Sequence, residues 1–316
     1  MQSGKDGTKP YRMLTLSLQF ERGAVINKSE TARKYHIIER SVQRDIEDLR
    51  CFFAEQIPPK EIIYDAKAHG YRLSTVDSGM LDNSEVLAVC KILLESRSMV
   101  KGEMIPILDK LITYCVPERN KKAVSALLAN EKFHYIEPHH GRKVLGGLWE
   151  IGQAIQEQRV MEITYERMKE PPLVTRRIEP VGIMFSEYYF YLTAFLRDVN
   201  RETEFENKDD LFPTIYRVDR IQSFLVLDEH FQVPYKDRFE EGEFRKRVQF
   251  MYGGKLKRLR FKYTGPSIEA VLDRLPTAEI IGRDDEGWTV TAEVFGKGIE
   301  MWLRSQGDCI VRQKTE

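Results

Sequence analysis

The sequence predicts a multidomain α+β protein. A helical N-terminal region closes on a small hairpin, a helical linker follows, then a strongly bent sheet or barrel, then a C-terminal α+β module. Three observations predict it. The 316 residues correspond to about two domains at roughly 150 residues each, and linked small modules raise that number. Hydrophobic residues make up 42% of the chain, which suits a folded protein and is too high for a disordered one. Apolar spacing is helical up to residue 158, alternates from residue 161, and mixes the two periods from residue 245 onward.

Tyr11 to Arg22 carries Leu14, Leu18 and Glu21 at helical spacing, with Met13, Leu16 and Phe20 on its apolar side, and Gly23 stops it. Asn27 with Glu30 makes a capping box that starts a short helix through Tyr35. After a turn at His36 to Ile38, a longer helix places Val42, Ile46, Leu49 and Phe53 on one buried stripe, leaving Arg40, Ser41, Gln43, Arg44 and Glu47 off it. Pro58 and Pro59 end that helix. Glu61 to Asp65 and Gly70 to Thr75 read as two strands around a turn at Ala66 to Gly70.

Three helices and a hairpin make a winged helix-turn-helix. In that arrangement the second helix of the pair enters the DNA major groove with its first turns, and the hairpin lies along the backbone. Arg40 and Arg44, one turn apart, reach guanine edges or phosphates in such a pose, and Ser41 and Gln43 can hydrogen-bond bases. The alternative is a solvated face in which Arg44 pairs with Glu47 or Asp48.

Leu81 to Pro138 reads helical, opening with a second box at Asp82 and Glu85 and an apolar side of Val86, Leu87, Val89, Leu93 and Leu94. Helices at Met104 to Tyr114 and Glu118 to Leu128 follow, and the stretch carries no catalytic pattern, so it reads as a spacer or dimerisation bundle. A helix at Val144 to Gln158 leads into alternating runs. These are Met161, Ile163 and Tyr165; Ile178, Val181, Ile183 and Phe185; Tyr188 to Leu192; and Ile215 to Val226. The tail alternates strand (Leu256 to Tyr263), helix (Ser267 to Leu275), strands (Glu279 to Arg283, Trp288 to Phe295), helix (Gly298 to Ser305) and strand (Asp308 to Arg312), the order of a ferredoxin-like module.

The 49 basic and 49 acidic residues cancel, which excludes wholesale coating of nucleic acid and leaves room for local basic surfaces. The first 75 residues hold thirteen basic and ten acidic groups, net +3, and Asp237 to Lys262 holds nine against four, net +5. The long loop from Arg197 to Phe212 is acidic, with Glu202, Glu204, Glu206, Asp209 and Asp210. No window reaches the ~18 uncharged apolar residues of a membrane span, and Met1 to Pro10 has no apolar core resembling a signal peptide, so a soluble cytoplasmic protein is expected. Cys51, Cys90, Cys115 and Cys309 form no close pair and read as reduced, buried small hydrophobes rather than a zinc knuckle or disulfide framework. His134, His139 and His140 lack a carboxylate or cysteine at ligand spacing, so no metal site is expected. There is no phosphate loop, nucleophile elbow or zinc-protease helix, so neither a cofactor nor an enzymatic activity is expected.

Beyond these patterns the chain resembles the WYL-domain transcriptional regulators of bacteria over nearly its whole length. Arg40 to Ile46 is similar to that family's recognition-helix opening, and Gly70-Tyr71-Arg72-Leu73 to the end of its wing. Arg176 to Pro180 resembles its Arg-x-x-x-Pro strand, Phe190-Tyr191-Leu192 its Trp-Tyr-Leu, Tyr216 to Ile221 its Phe-Arg-Leu-Asp-Arg-Ile strand, and Met301 to Gly307 the extension's Trp-Leu-Leu-Ser-x-Gly. There are departures. Ile38 stands where a Ser caps the recognition helix, Phe190 where the name-giving Trp stands, and Thr214 where many members carry Arg.

The resemblance implies a DeoR-type winged helix-turn-helix at 1–78, a helical linker at 79–142, an Sm-like β-barrel WYL domain at 143–234 and a C-terminal WCX extension at 240–316. It implies a homodimeric regulator of a two-fold double-stranded DNA operator. The effector is anionic, a nucleotide or single-stranded nucleic acid, held by Tyr191, Arg176, Arg217 and Arg220. A tyrosine ring stacks on a base and a guanidinium forks a phosphate. On one strand Arg217 and Arg220 point to opposite faces, so one of them partners Asp219 or a backbone carbonyl. Tyr165, Tyr188 and Tyr189 read as packing residues, and Arg258, Arg260 and Lys262 as a solvated face or a positive rim over a neighbouring subunit's pocket. The competing reading is an accessory factor of DNA repair or phage defence that mainly binds single strands.

Overall fold

A computed structural model describes residues 8–56, 59–74, 81–168, 170–198, 212–233 and 239–315, with side chains to residue 311. The acidic run Glu202 to Asp210 and the expected strand end at Thr75 lie outside the described residues. The chain divides into two compact units, one of residues 1–97 and 101–136, the other of residues 98–100 and 137–316.

In the first unit, helix α1 (Lys9–Glu21) buries Arg12, Leu16 and Phe20, spaced four apart on one face. Leu14 and Leu18, expected on the buried side, are exposed. Each lies about 200° around the helix from Leu16 or Phe20, because two residues advance the helix by that angle, so both sets cannot be covered at once. Arg12 heads the buried stripe by pairing with Asp45 of α3 (Glu39–Ala54), Nε to Oδ2 at 2.5 Å and Nη2 to Oδ1 at 3.2 Å. Phe20 meets Phe53 edge to face at 6.2 Å.

Helix α2 (Lys28–Lys34) starts at Asn27, whose Oδ1 accepts from the Ser29 and Glu30 amides. Asn27 Nδ2 donates to the His69 carbonyl, tying the helix start to the hairpin. Helix α3 buries Val42, Ile46, Leu49 and Phe53, the predicted stripe. Its N-cap Ile38 supplies no side-chain hydrogen bond, as the missing Ser foretells. Strands β1 (Ile62–Asp65) and β2 (Gly70–Leu73) pair antiparallel. Asp65 Oδ1 accepts from the Lys67 and Ala68 amides and Oδ2 from Arg72 Nε, which closes the turn. Gly70 is the residue this path admits: a Cβ there would sit 2.5 Å from Val25 Cγ1 and 2.9 Å from the Ile26 carbonyl oxygen.

Helices α4 (Asn83–Ser96), α5 (Lys101–Cys115) and α6 (Glu118–Phe133) complete this unit. The Asp82–Glu85 box forms in both directions. Val86, Cys90 and Leu94 face Met104, Leu108, Ile112, Val124 and Leu128 as buried rows, and Lys91–Glu131 and Lys132–Asp109 clip the outer surface. All four cysteines are free. Cys90 is buried, Cys115 and Cys309 are half-buried, and Cys51 is exposed, because it sits two positions past Leu49 on the far side of α3.

The second unit begins with α7 (Leu145–Gln156) and a five-stranded antiparallel sheet in the order β6-β5-β4-β3-β7. The strands are β3 (Arg159–Glu166), β4 (Leu173–Ser186), β5 (Tyr189–Leu196), β6 (Thr214–Arg217) and β7 (Ile221–His230). The expected barrel is not closed, since among the described residues no ladder joins β6 to β7. The expected single strand from Ile215 to Val226 is broken by a 3-10 turn at Val218–Arg220, which leaves β6 only four residues long and carries the chain from one sheet edge to the other. On β4, Ile178 and Met184 are buried while Val181, Ile183 and Phe185 are half-buried, and the register slips between Pro180 and Gly182.

Helix α8 (Glu241–Arg247) braces that slip: Glu241 Oε1 accepts from the Ile183 amide at 2.9 Å, and Arg245 donates to the Phe185 carbonyl. Its Phe244 stacks on Phe295 at 5.5 Å, and Met184, Val248 and Met251 fill the same small core. Beyond it, β8 (Leu256–Tyr263), α9 (Ile268–Arg274), β9 (Glu279–Asp284), β10 (Gly287–Phe295), α10 (Gly298–Ser305) and β11 (Ile310–Thr315) form a β-α-β-β-α-β module with sheet order β11-β8-β10-β9. Leu259, Phe261 and Tyr263 point into its core with Val290, Ala292, Trp302 and Leu303. The alternate residues lie outside, Arg258 paired with Glu293 and Lys262 with Asp284 and Glu286.

The Arg12–Asp45 pair gives a direct test. Asp45→Ala removes the carboxylate that faces the guanidinium of Arg12, a residue only 5% exposed, and is expected to cost about 3–5 kcal/mol in chemical denaturation of the full chain. The double variant Arg12→Met/Asp45→Leu is expected to recover most of that loss. A single-variant loss within about 0.5 kcal/mol, the range of an ordinary surface change, contradicts a holding role for the pair.

Candidate functional site

Helix α3 presents its polar face beside the hairpin. Arg40 and Arg44 are exposed and make no ion pair or hydrogen bond among the described residues, and Ser41 is half-buried. The alternative pairing of Arg44 with Glu47 or Asp48 does not form. Glu47 Oε1 instead accepts from Gln43 Nε2 at 2.7 Å and Arg50 Nη1 at 2.8 Å, and Asp48 pairs with Lys9 at 2.8 Å. The Gln43 amide first, and the Arg50 guanidinium second, hold the Glu47 carboxyl below the usual carboxylate range. Two unpaired guanidiniums one turn apart, roughly 6 Å between Cβ atoms, form a bidentate-capable face for an anion or a guanine edge. Gln43 is different. Its Oε1 accepts from the Tyr71 hydroxyl at 3.1 Å, so both ends of its amide are engaged within the protein.

The second cluster lies on the five-stranded sheet. Tyr191 stands opposite Met184 on one side and Arg217 on the other, so these three share a face. Arg217 grips Asp219 in a fork, Nε to Oδ1 at 3.1 Å and Nη2 to Oδ2 at 2.8 Å. Its guanidinium carbon lies 3.5 Å from the centre of the Tyr189 ring. Tyr189 meets Tyr191 and Tyr188 edge-on at 6.4 and 6.3 Å, and His140 lies tilted against it at 6.2 Å. Burial opposes the Arg217 charge, and the Asp219 bonds outweigh it, leaving the guanidinium above its ordinary pKa.

Strand alternation does not separate Arg217 from Arg220, because the 3-10 turn lies between them. The Arg217 amide donates to Tyr165 Oη at 3.3 Å, and the Arg220 side chain reaches the same hydroxyl. Burial raises the Tyr165 phenol. The structure therefore brings Tyr191, Arg217 and Arg220 into one neighbourhood through Tyr165 and Tyr189. Arg176 stands opposite Ile163 of β3, two residues from Tyr165, and eight residues before Met184 on β4. Tyr189 is the residue that reading from sequence undervalued. Its position two before Tyr191 puts both on one strand face, which was the available signal. Tyr191 packs against the Met184–Phe244 core, so its ring is largely used by the fold. A cavity of about 230 Å³ between the end of α7, the β4 slip and Phe231 is lined by none of Tyr191, Arg176, Arg217 or Arg220. Among the described residues no group of three or more His, Cys, Asp or Glu is placed to hold a metal ion, and no helix is long and apolar enough to cross a membrane.

Burial pushes the Tyr191 phenol up to about 12. An unfolded tyrosine ionises near 10. The folded state thus keeps the proton more tightly, and stability that is complete below about pH 10 is lost as pH rises towards 12. In an alkaline titration of phenolate absorbance, the difference between the natural chain and Tyr191→Phe is expected to appear near pH 12; a difference centred near 10 would show that the ring is not buried as described.

Residues 148–226 match the family model of the WYL domain. A search of curated proteins finds no match. Among solved structures, the chain is similar to the proteasome accessory factor B/C (PafBC) of Arthrobacter aurescens at 15% identity and a TM-score of 0.30, over 96% of this chain and 43% of that one. It is similar to a CRISPR Cas-related protein at 14% identity and a TM-score of 0.33, over 75% of this chain and 70% of that one. The chain thus spans less than half the length of the PafBC chain. The segment matched by the family model holds most of α7, strands β3 to β6, the start of β7 and the Tyr189, Tyr191, Arg217 and Asp219 cluster, and the protein contains a WYL domain.

Proposed function

We propose that this protein is a DNA-binding transcriptional regulator that acts as a homodimer on a two-fold operator and whose WYL domain binds an anionic effector. The observation that carries the reading is the pair of exposed arginines, Arg40 and Arg44, with no partner among the described residues, on the first two turns of a helix whose opposite face is locked in a core. The three helices and hairpin of the first unit have the element order of a winged helix-turn-helix, in which such a helix enters the major groove. Arginine is the side chain best suited to guanine O6 and N7.

In the second unit, the order β6-β5-β4-β3-β7 with a short turn between the outer strands is compatible with an Sm-like sheet that curls without closing. The β11-β8-β10-β9 order of the C-terminal module supports a ferredoxin-like extension. The effector would meet Arg217, Arg220 and Tyr189, with a nucleotide or short single strand as the chemical class that pairs phosphate with a stacking base. Effector binding changes operator affinity only by its differential affinity for the free and DNA-bound protein. The reading assigns the chain no catalytic role and no cofactor, and places it in the cytoplasm.

Arg40→Ala and Arg44→Ala are each expected to weaken binding to a duplex selected from a random pool by roughly fivefold to 100-fold, with an unchanged circular dichroism spectrum. Unchanged affinity in both contradicts the assignment of α3. Arg217→Ala is expected to keep that duplex affinity within about twofold, the size of a neutral surface change, while abolishing any shift caused by adding a short single-stranded oligonucleotide. A chain that prefers single strands and selects no duplex would instead favour the accessory-factor reading.

A further inference from the structure

Glutamine reads adenine by presenting its carbonyl oxygen and amide nitrogen together to one base edge. Gln43 has both occupied on the protein side. Glu47 is a carboxylate and only accepts, so the Gln43 nitrogen must face it, and the oxygen must then face the Tyr71 hydroxyl that donates to it. Chemistry therefore settles which way the amide points.

Tyr71 is itself held on three sides. Its backbone exchanges two hydrogen bonds with Ile26, at 2.7 and 2.8 Å. Its ring has two cations over it, the Lys28 ammonium at 5.8 Å and the Arg50 guanidinium at 5.6 Å from its centre. Its hydroxyl reaches α3 through Gln43. Arg50 closes the circuit by donating Nε to the Ile62 carbonyl of β1 and Nη1 to Glu47. Two turns of α3, both hairpin strands and the start of α2 are thus joined through five side chains, Lys28, Gln43, Glu47, Arg50 and Tyr71.

We propose that Gln43 and Tyr71 are positioning residues that lock the β1–β2 hairpin onto α3, and that sequence reading is left to Arg40 and Arg44. The proposal rests on the DNA-binding reading above and specifies how its parts divide the work. A hairpin fixed to the helix meets the DNA backbone at a set distance from the groove that the helix enters, and its phosphate contacts then depend on the lock. Loss of the lock weakens binding to every sequence alike, whereas loss of a base contact changes which sequence is preferred.

The test uses the full chain and its Tyr71→Phe, Gln43→Ala and double variants, with duplexes selected from a random pool. Each single variant is expected to lose roughly threefold to tenfold in affinity, the range for one hydrogen bond. The double variant is expected to lose no more than the larger single one, with the preferred sequence unchanged. The slope of log affinity against log salt is expected to fall by about one phosphate contact, which a defect in folding alone would not produce. A new base preference in Gln43→Ala that Tyr71→Phe lacks overturns the proposal, as do additive losses with unchanged slopes. If the natural chain selects no duplex, the DNA-binding reading itself fails. The lock is then judged by thermal unfolding of the same four proteins, where a double-variant loss smaller than the sum of the singles is expected and additivity overturns it.

Discussion

The buried ion pair between Arg12 and Asp45 is the constraint on which the first unit depends. Burying two charges is costly unless they are paired, and here they meet in a two-point fork. The pair joins α1 to α3 within the same layer as Leu16, Phe20, Ile46 and Leu49, so the rotation of α3 about its axis is set by a directional contact as well as by hydrophobic packing. With the apolar stripe and Asp45 turned inward, the remaining face can only carry Arg40, Ser41, Gln43 and Arg44 outward or towards the hairpin. Packing and charge satisfaction thus decide together which side chains are available to a partner.

A similar economy governs the second unit. Asp219 lies in the turn that carries the chain from one edge of the five-stranded sheet to the other, and its carboxylate is occupied by Arg217. The same guanidinium lies over Tyr189, and the amide of the same residue binds Tyr165, so one residue ties the turn to β5 and β3. The two sheet edges are joined by this turn, and among the described residues by no backbone ladder. An anion arriving at Arg217 meets a fork already filled by Asp219, and any contact it makes there competes with a bond that shapes the turn.

Much of the fold was legible in the sequence. The α3 stripe, the Asp82–Glu85 box and the strand at Leu256 to Tyr263 follow from periodicity and capping chemistry, which are local. What was not legible depends on distant partners. Leu14 and Leu18 have the spacing of a core stripe, and only the competing stripe headed by Arg12 explains their exposure. The strand from Ile215 to Val226 reads as continuous in its alternation, and the 3-10 turn at Val218 to Arg220 is met by a distant partner, Tyr165 of β3, whose hydroxyl accepts from the Arg217 amide. The candidate site shows the same division. Arg40, Arg44, Tyr191 and Arg217 were identifiable by type and position, whereas the occupation of Gln43 and the role of Tyr189 arise from contacts across 28 residues in both cases.

The central claim is that the exposed face of α3 reads double-stranded DNA through its arginines. Methylation interference on a duplex enriched by the full chain tests it most directly, because methylation at guanine N7 blocks the major-groove edge that an arginine fork uses. The account predicts that methylating guanines at a few discrete positions, repeated in two half-sites, abolishes binding. Binding that is indifferent to N7 methylation at every guanine would contradict it.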